Sequence, residues 1–130
     1  MRIELTSVFV QDQDKALQFY TEQLGFLKKR DFPVGEFKWL TVVSAAAPEG
    51  TELLLEPNDN PAAKAYQASL FEQGIPAAAF AVDDIHAEYE RLKAAGVLFS
   101  MEPTNMGGTT IAMLDDTCGN LIQLYQVTAS

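Results

Sequence analysis

The chain has 130 residues, 48% of them hydrophobic, and no low-complexity tract, which suits a single domain over 1–130 with room for a real core. Eighteen acids against nine bases give a net charge of −9, and a surface field of that sign repels phosphate backbones and anionic lipid. Nucleic acid and membrane surfaces are therefore disfavoured as partners, and the longest apolar run, residues 77–82, is far too short to span a bilayer.

Cys118 is the only cysteine, so it cannot close an internal disulfide. Met1-Arg2 leads straight into strand-like alternation, and cytoplasmic residence is the expectation.

In chain order, "RIELTSVFVQD" alternates with a period of two, and Asp12 or Asp14 caps a helix over "KALQFYTEQL". Leu17, Tyr20 and Leu24 share one face of that helix, and Gly25 ends it. Strands are expected in "FLKKRDF", "FKWLTVVS" and "TELLLEP", separated by "PVGE" and "AAAPEG" with their turn residues. A connecting helix over about 60–74 follows, with Asn60 as cap, Pro61 at its first position and Gly74 at its far end. The pattern then restarts. "AAAFAVDD" reads as a strand, Asp84 caps "IHAEYERLKAA", Gly96 ends that helix, and "VLFSME", "TTIAMLD" and "NLIQLYQ" read as strands.

The two halves look like one unit used twice. Val10-Gln11-Asp12 matches Val82-Asp83-Asp84 at an offset of 72, and Trp39 to Val42 match Ile111 to Leu114 at the same offset. The turn glycines Gly50 and Gly119 set "ELLLE" against "LIQLY". Two βαβββ modules result, about 1–57 and 76–128.

On the stretches "VFVQDQDKALQFYTEQLGF", "FAVDDIHAEYERLKAAGV" and "DDTCGNLIQLYQ", the chain resembles the vicinal oxygen chelate superfamily of glyoxalase I, extradiol dioxygenases and bleomycin-binding proteins. The resemblance implies an α+β fold whose paired modules form a curled mixed sheet around a cavity, and it implies a homodimer. In metal-using members each module supplies one ligand from its first strand and one from its last. Carried over by spacing, those positions are Leu5, Leu54, Ala77 and Gln123. Leucine and alanine have no donor atoms, and one neutral amide cannot hold a divalent ion that needs several charged or imidazole ligands. The expectation is no metal and no cofactor, with Gln123 left as a polar group on a cavity wall.

Ser7, Trp39, Met113, Gln123 and Tyr125 are the candidate ligand-binding residues, and Glu56 is the candidate catalytic acid or base. Glu56 shares a strand parity with Leu54, while the simpler reading of Glu56-Pro57 is the end of a strand in water; Glu4, beside Leu5, has the opposite parity. Trp39 is as compatible with a core role as with a ligand wall. The single histidine, His86, falls in the first turn of a surface helix, and Cys118 lies in a turn with no base nearby to activate it. Gly107-Gly108 suits a hairpin better than a phosphate cradle, because strand rather than helix follows. Ala77 to Ala79 remove bulk from a strand, either to leave room for a ligand or to allow close packing.

Two functions follow from these residues. The first is metal-independent binding of a small organic molecule. The second is a glyoxalase-like lyase or related enzyme working through Glu56 with Gln123, or through other ligands among Glu4, Glu56, His86 and Gln123; whether the protein is an enzyme is left open.

Overall fold

The computed structural model describes residues 1–128. By backbone contacts the chain separates into two compact units, one over Met1–Gln67 and one from Ala68 onward, so the division falls within the connecting helix. Each unit carries one four-stranded mixed sheet.

In the first unit β1 (Leu5–Val10) leads into α1 (Gln13–Gln18), followed by β2 (Leu27–Val34), β3 (Phe37–Val43) and β4 (Glu52–Pro57). The sheet order is β1-β4-β3-β2, with β1 and β4 parallel and the other neighbours antiparallel. α1 begins at Asp12, whose carboxylate accepts the Lys15 amide at 3.0 Å. The expected helix over 15–24 forms, but only its first part is α-helical. α1 gives way to a π-helical turn at Phe19–Gln23 before Gly25, at φ 86°, reverses the chain.

That switch moves the buried stripe. Ala16, Phe19 and Tyr20 are buried, whereas Leu17 and Leu24, expected on the same face as Tyr20, are only half-buried. The wider π turn rotates Leu24 away from the position that regular 3.6-residue spacing gives it. Tyr20 stacks on Phe26 with ring centroids 6.4 Å apart. On the sheet, Val8, Val10, Leu40, Val42, Leu53 and Leu55 are buried and share one strand parity, the face that α1 covers.

Gln13 joins β3 and β4 where their direct pairing stops at Thr41–Leu54 and Val42–Leu53. Its amide nitrogen donates to the carbonyls of Lys38 (2.7 Å) and Leu55 (2.9 Å), and its oxygen accepts the Lys38 amide at 3.1 Å. Three strand-edge groups are thereby satisfied by one side chain. α2 (Pro61–Gln73) is capped by Asn60, whose side chain accepts the Ala62 amide. Gln67, buried on α2, donates to the Phe9 carbonyl at 2.8 Å and accepts from Asn58 at 2.7 Å.

The second unit repeats the plan with β5 (Ala78–Ala81), α3 (Ile85–Ala94), β6 (Phe99–Asn105), β7 (Thr109–Asp115) and β8 (Leu121–Val127), in sheet order β5-β8-β7-β6 with β5 and β8 parallel. Asp84 caps α3 as Asp12 caps α1, accepting the Ala87 amide at 3.1 Å. Ile85, Leu92, Ala112, Leu114, Ile122 and Leu124 form the buried layer between α3 and its sheet. Gln126 reaches from β8 to accept the Ile85 amide at 2.9 Å. Among the described residues no helix is long and apolar enough to cross a membrane.

Candidate functional site

Helices cover one face of each sheet, and the residues of opposite parity occupy the far face. In the first unit the register sets Leu5 beside Glu52, Ser7 beside Leu54 and Phe9 beside Glu56, with Thr41 opposite Leu54 on β3. Trp39 has the same parity as Thr41 and stacks on Phe32 of β2 at 6.4 Å and 20°. Ser7, Trp39 and Glu56 thus stand on one far face. Ser7 is exposed, while Trp39 and Glu56 are half-buried; β4 continues through Glu56 rather than releasing it into a solvated turn.

The second far face is built the same way. Gln123 lies between Ala79 of β5 and Met113 of β7, Met113 pairs with Met101 of β6, and Tyr125 lies between Ala81 and Ile111. Met113 is buried, Gln123 and Tyr125 are half-buried, and Ala77, Ala79 and Ala81 are exposed. Small side chains along β5 leave Gln123 and Tyr125 uncovered on that side.

Glutamine 123 differs from the glutamines that build the fold. The amides of Gln13, Gln67 and Gln126 are all engaged with backbone or side-chain partners. Among the described residues, Gln123 has no side-chain hydrogen bond, and neither do Ser7, Trp39, Glu56 or Tyr125. Three polar groups on the first far face and two on the second are thus available to a ligand. The Glu56–Gln123 pair expected from the sequence is divided between the two units.

One polar cluster was not anticipated. Glu52, two residues before Leu54, turns its carboxylate to the far face, where Thr41 donates to Oε1 at 2.7 Å and Arg30 Nε donates to Oε1 and Oε2 at 3.1 and 3.3 Å. Thr41 is fully buried, so its hydroxyl needs this acceptor. The Thr41 hydrogen bond, with the Arg30 guanidinium and the Lys29 ammonium behind it, holds the Glu52 carboxyl below its ordinary value of 4.5. Period two from Leu54 selects Glu52 as readily as Glu56; Arg30 is harder to place, because a bulge between Lys28 and Arg30 shifts β2 by one residue.

The other singled-out residues fall outside these faces or serve the fold. His86 is exposed on α3. Cys118 is buried in a turn organised by Asp116, whose Oδ1 accepts the amides of Cys118 (2.8 Å) and Asn120 (3.0 Å) while Oδ2 accepts from the Asn120 side chain (2.8 Å). Gly107 and Gly108 form a hairpin, with the Gly107 amide donating to Asn105 Oδ1 and the Gly108 carbonyl accepting from Thr128.

The repeat, the two parallel first-to-last strand pairs and the helix-covered sheets agree with a match of residues 2–124 to the model of the Glyoxalase/Bleomycin resistance protein/Dioxygenase superfamily. The chain belongs to this superfamily. It is 62% identical to the uncharacterized protein YurT of Bacillus subtilis (strain 168), over 97% of this chain and 99% of that one. A probable lactoylglutathione lyase of Synechocystis sp. is 32% identical, over 95% and 94% of the two chains. Among solved structures, TnmS3, an antibiotic-binding protein from Streptomyces sp. CB03234, superposes with a TM-score of 0.76 at 31% identity, covering 98% of this chain and 96% of its own.

The superfamily's metal positions can now be tested on the donor set. Leu5, Leu54 and Gln123 occupy far faces, and Ala77, one residue before β5, donates its amide to the Leu121 carbonyl. These side chains offer one neutral amide oxygen and no carboxylate or imidazole, a set that does not fit a divalent ion.

Proposed function

We propose that this superfamily member binds a small organic molecule on its far faces without the metal site of its metal-using relatives. The observation that carries the reading is the unpaired amide of Gln123, half-buried between Met113 and the alanines of β5. A half-buried amide that the fold does not use is a fixing point for a ligand's own donor or acceptor, and Met113 with Tyr125 supplies apolar wall beside it. The likeness to an antibiotic-binding protein supports this reading. Its setting is the cytoplasm. Its assembly is a homodimer, for which exposed Leu27, Phe32 and Val34 on the edge strand β2 provide apolar surface.

A thermal-shift screen of small organic ligands, run with and without a chelator, tests the reading. A ligand that raises the melting temperature equally in both conditions, and less in Gln123→Ala, supports it. A stoichiometric ion retained after dialysis against nickel, zinc, manganese or ferrous iron, with ligand effects that require it, overturns it.

The second reading is a lyase, favoured by the 32% identity to a probable lactoylglutathione lyase and by Glu56 standing half-buried on a far face. Turnover of a glutathione hemithioacetal that disappears in Glu56→Gln while ligand affinity is kept would establish it over sequestration.

A further inference from the structure

α2 ends at Gly74, whose positive φ of 73° lets the Ile75 amide bond back to the Leu70 carbonyl at 2.9 Å and the Gly74 amide to that of Phe71. This closed end fixes Phe71 and Glu72 as one wall of a groove of about 470 Å³ within the second unit. Met101, Met113 and Leu121 contribute apolar side chains to its lining, Phe71 lines it while 41% exposed, and Glu72 and Asp115 are the acidic residues that line it. Among the described residues no lysine, arginine or histidine lines it.

Resting on the ligand reading above, we propose that this groove selects organic cations: a protonated amine seated against Glu72 and Asp115, with an aromatic or branched apolar body on Met101, Met113 and Leu121. The volume suits a drug-sized molecule. Two thioethers give a polarisable, adaptable surface that contacts aromatic rings favourably. The charge is uncompensated locally, unlike the first far face, where Arg30 already neutralises Glu52. Asp115 Oδ1 accepts the Thr117 amide at 2.7 Å, which orients the carboxylate. The net charge of −9 adds a field that concentrates cations near the groove and repels anions.

The test is a fluorescence titration of the full chain with three polycyclic probes of similar size: aminoacridine, a cation at neutral pH, neutral hydroxymethylanthracene, and anthracenecarboxylate. Aminoacridine is expected to saturate with the highest affinity. The double variant Glu72→Gln/Asp115→Asn should weaken aminoacridine by roughly three- to tenfold and leave the neutral probe unchanged. Asparagine keeps the Oδ1 acceptor for Thr117, so the turn is retained. Phe71→Ser, at an exposed position, should weaken all three probes. Glu36→Gln/Glu90→Gln, which removes the same charge elsewhere, separates local recognition from the general field and should have little effect. Equal affinity for cation and anion, or a cation affinity unmoved by Glu72→Gln/Asp115→Asn, overturns the charge selection while binding that depends on Phe71 leaves the ligand reading standing. Absence of saturable binding by any probe overturns the groove as a site; a ligand effect that depends on Gln123 would then sustain the broader reading alone.

Discussion

Glu52 carries the largest electrostatic consequence among the far-face residues, because its carboxylate satisfies a fully buried hydroxyl and pairs with a guanidinium at once. Its folded-state pKa is depressed, chiefly by the Thr41 hydrogen bond and then by Arg30. A depressed carboxyl contributes stability that is fully present above its unfolded value and is lost as the pH falls through the folded one. Denaturant melts of the wild type and Glu52→Gln should therefore differ most above the ordinary carboxyl value of 4.5 and converge as the pH falls below it. A gap of constant size across that range would assign the loss to packing instead of charge. Thr41→Val should reproduce part of the effect, since it removes the hydroxyl that donates to the carboxylate while preserving side-chain shape.

At the level of elements, one side chain and one glycine decide how the first unit closes, and one aspartate organises a buried turn of the second. Gln13→Ala leaves the Lys38 amide and the Lys38 and Leu55 carbonyls without their bridge, and should cost about 1–3 kcal/mol in chemical denaturation. A cost near zero would mean that water replaces the amide. Gly25 sits at φ 86° with nothing within 4 Å of where a Cβ would stand, so Gly25→Ala should cost only the backbone term of about 1–2 kcal/mol. Asp116→Ala is expected to cost more, because three bonds at a buried turn are lost together. Much of this level was legible in advance: β7 occupies the seven residues of "TTIAMLD", and the capping aspartates recur at Asp12 and Asp84. The π turn at Phe19–Gln23 was not legible, because a helix that widens by one residue leaves no change in local propensity. The faces of Ser7, Gln123 and Tyr125 followed from period two, which survives small register errors only when they are even. Arg30 beside Glu52 depends on an odd shift at a bulge, and Phe71 with Glu72 at the groove depends on where a helix ends in space; neither is a property of spacing along the chain.

For the whole molecule the excess of acids sets the response to salt. Ion pairs offset little of it: Arg2–Glu4 is exposed on both sides, Lys38–Asp14 at 2.6 Å is a surface contact, and Arg91–Glu88 spans one helical turn. Such exposed pairs contribute little and weaken as salt is added. Self-repulsion of nine uncompensated negative charges weakens too, and it acts over the whole surface, where separations exceed the screening length of about 8 Å at physiological ionic strength. The repulsive sum is therefore expected to prevail. Raising sodium chloride from about 0.01 M to about 0.15 M at neutral pH should increase the melting temperature by a few degrees, equivalent to roughly 1 kcal/mol. A fall over the same range would show that the pairs around Arg30 and Lys38 contribute more than their exposure implies. The same screening should weaken aminoacridine binding at the Glu72–Asp115 groove, so salt moves fold stability and cation affinity in opposite directions. That divergence separates a specific site from ligand-induced neutralisation of the surface, in which stabilisation and binding would share a single dependence on salt.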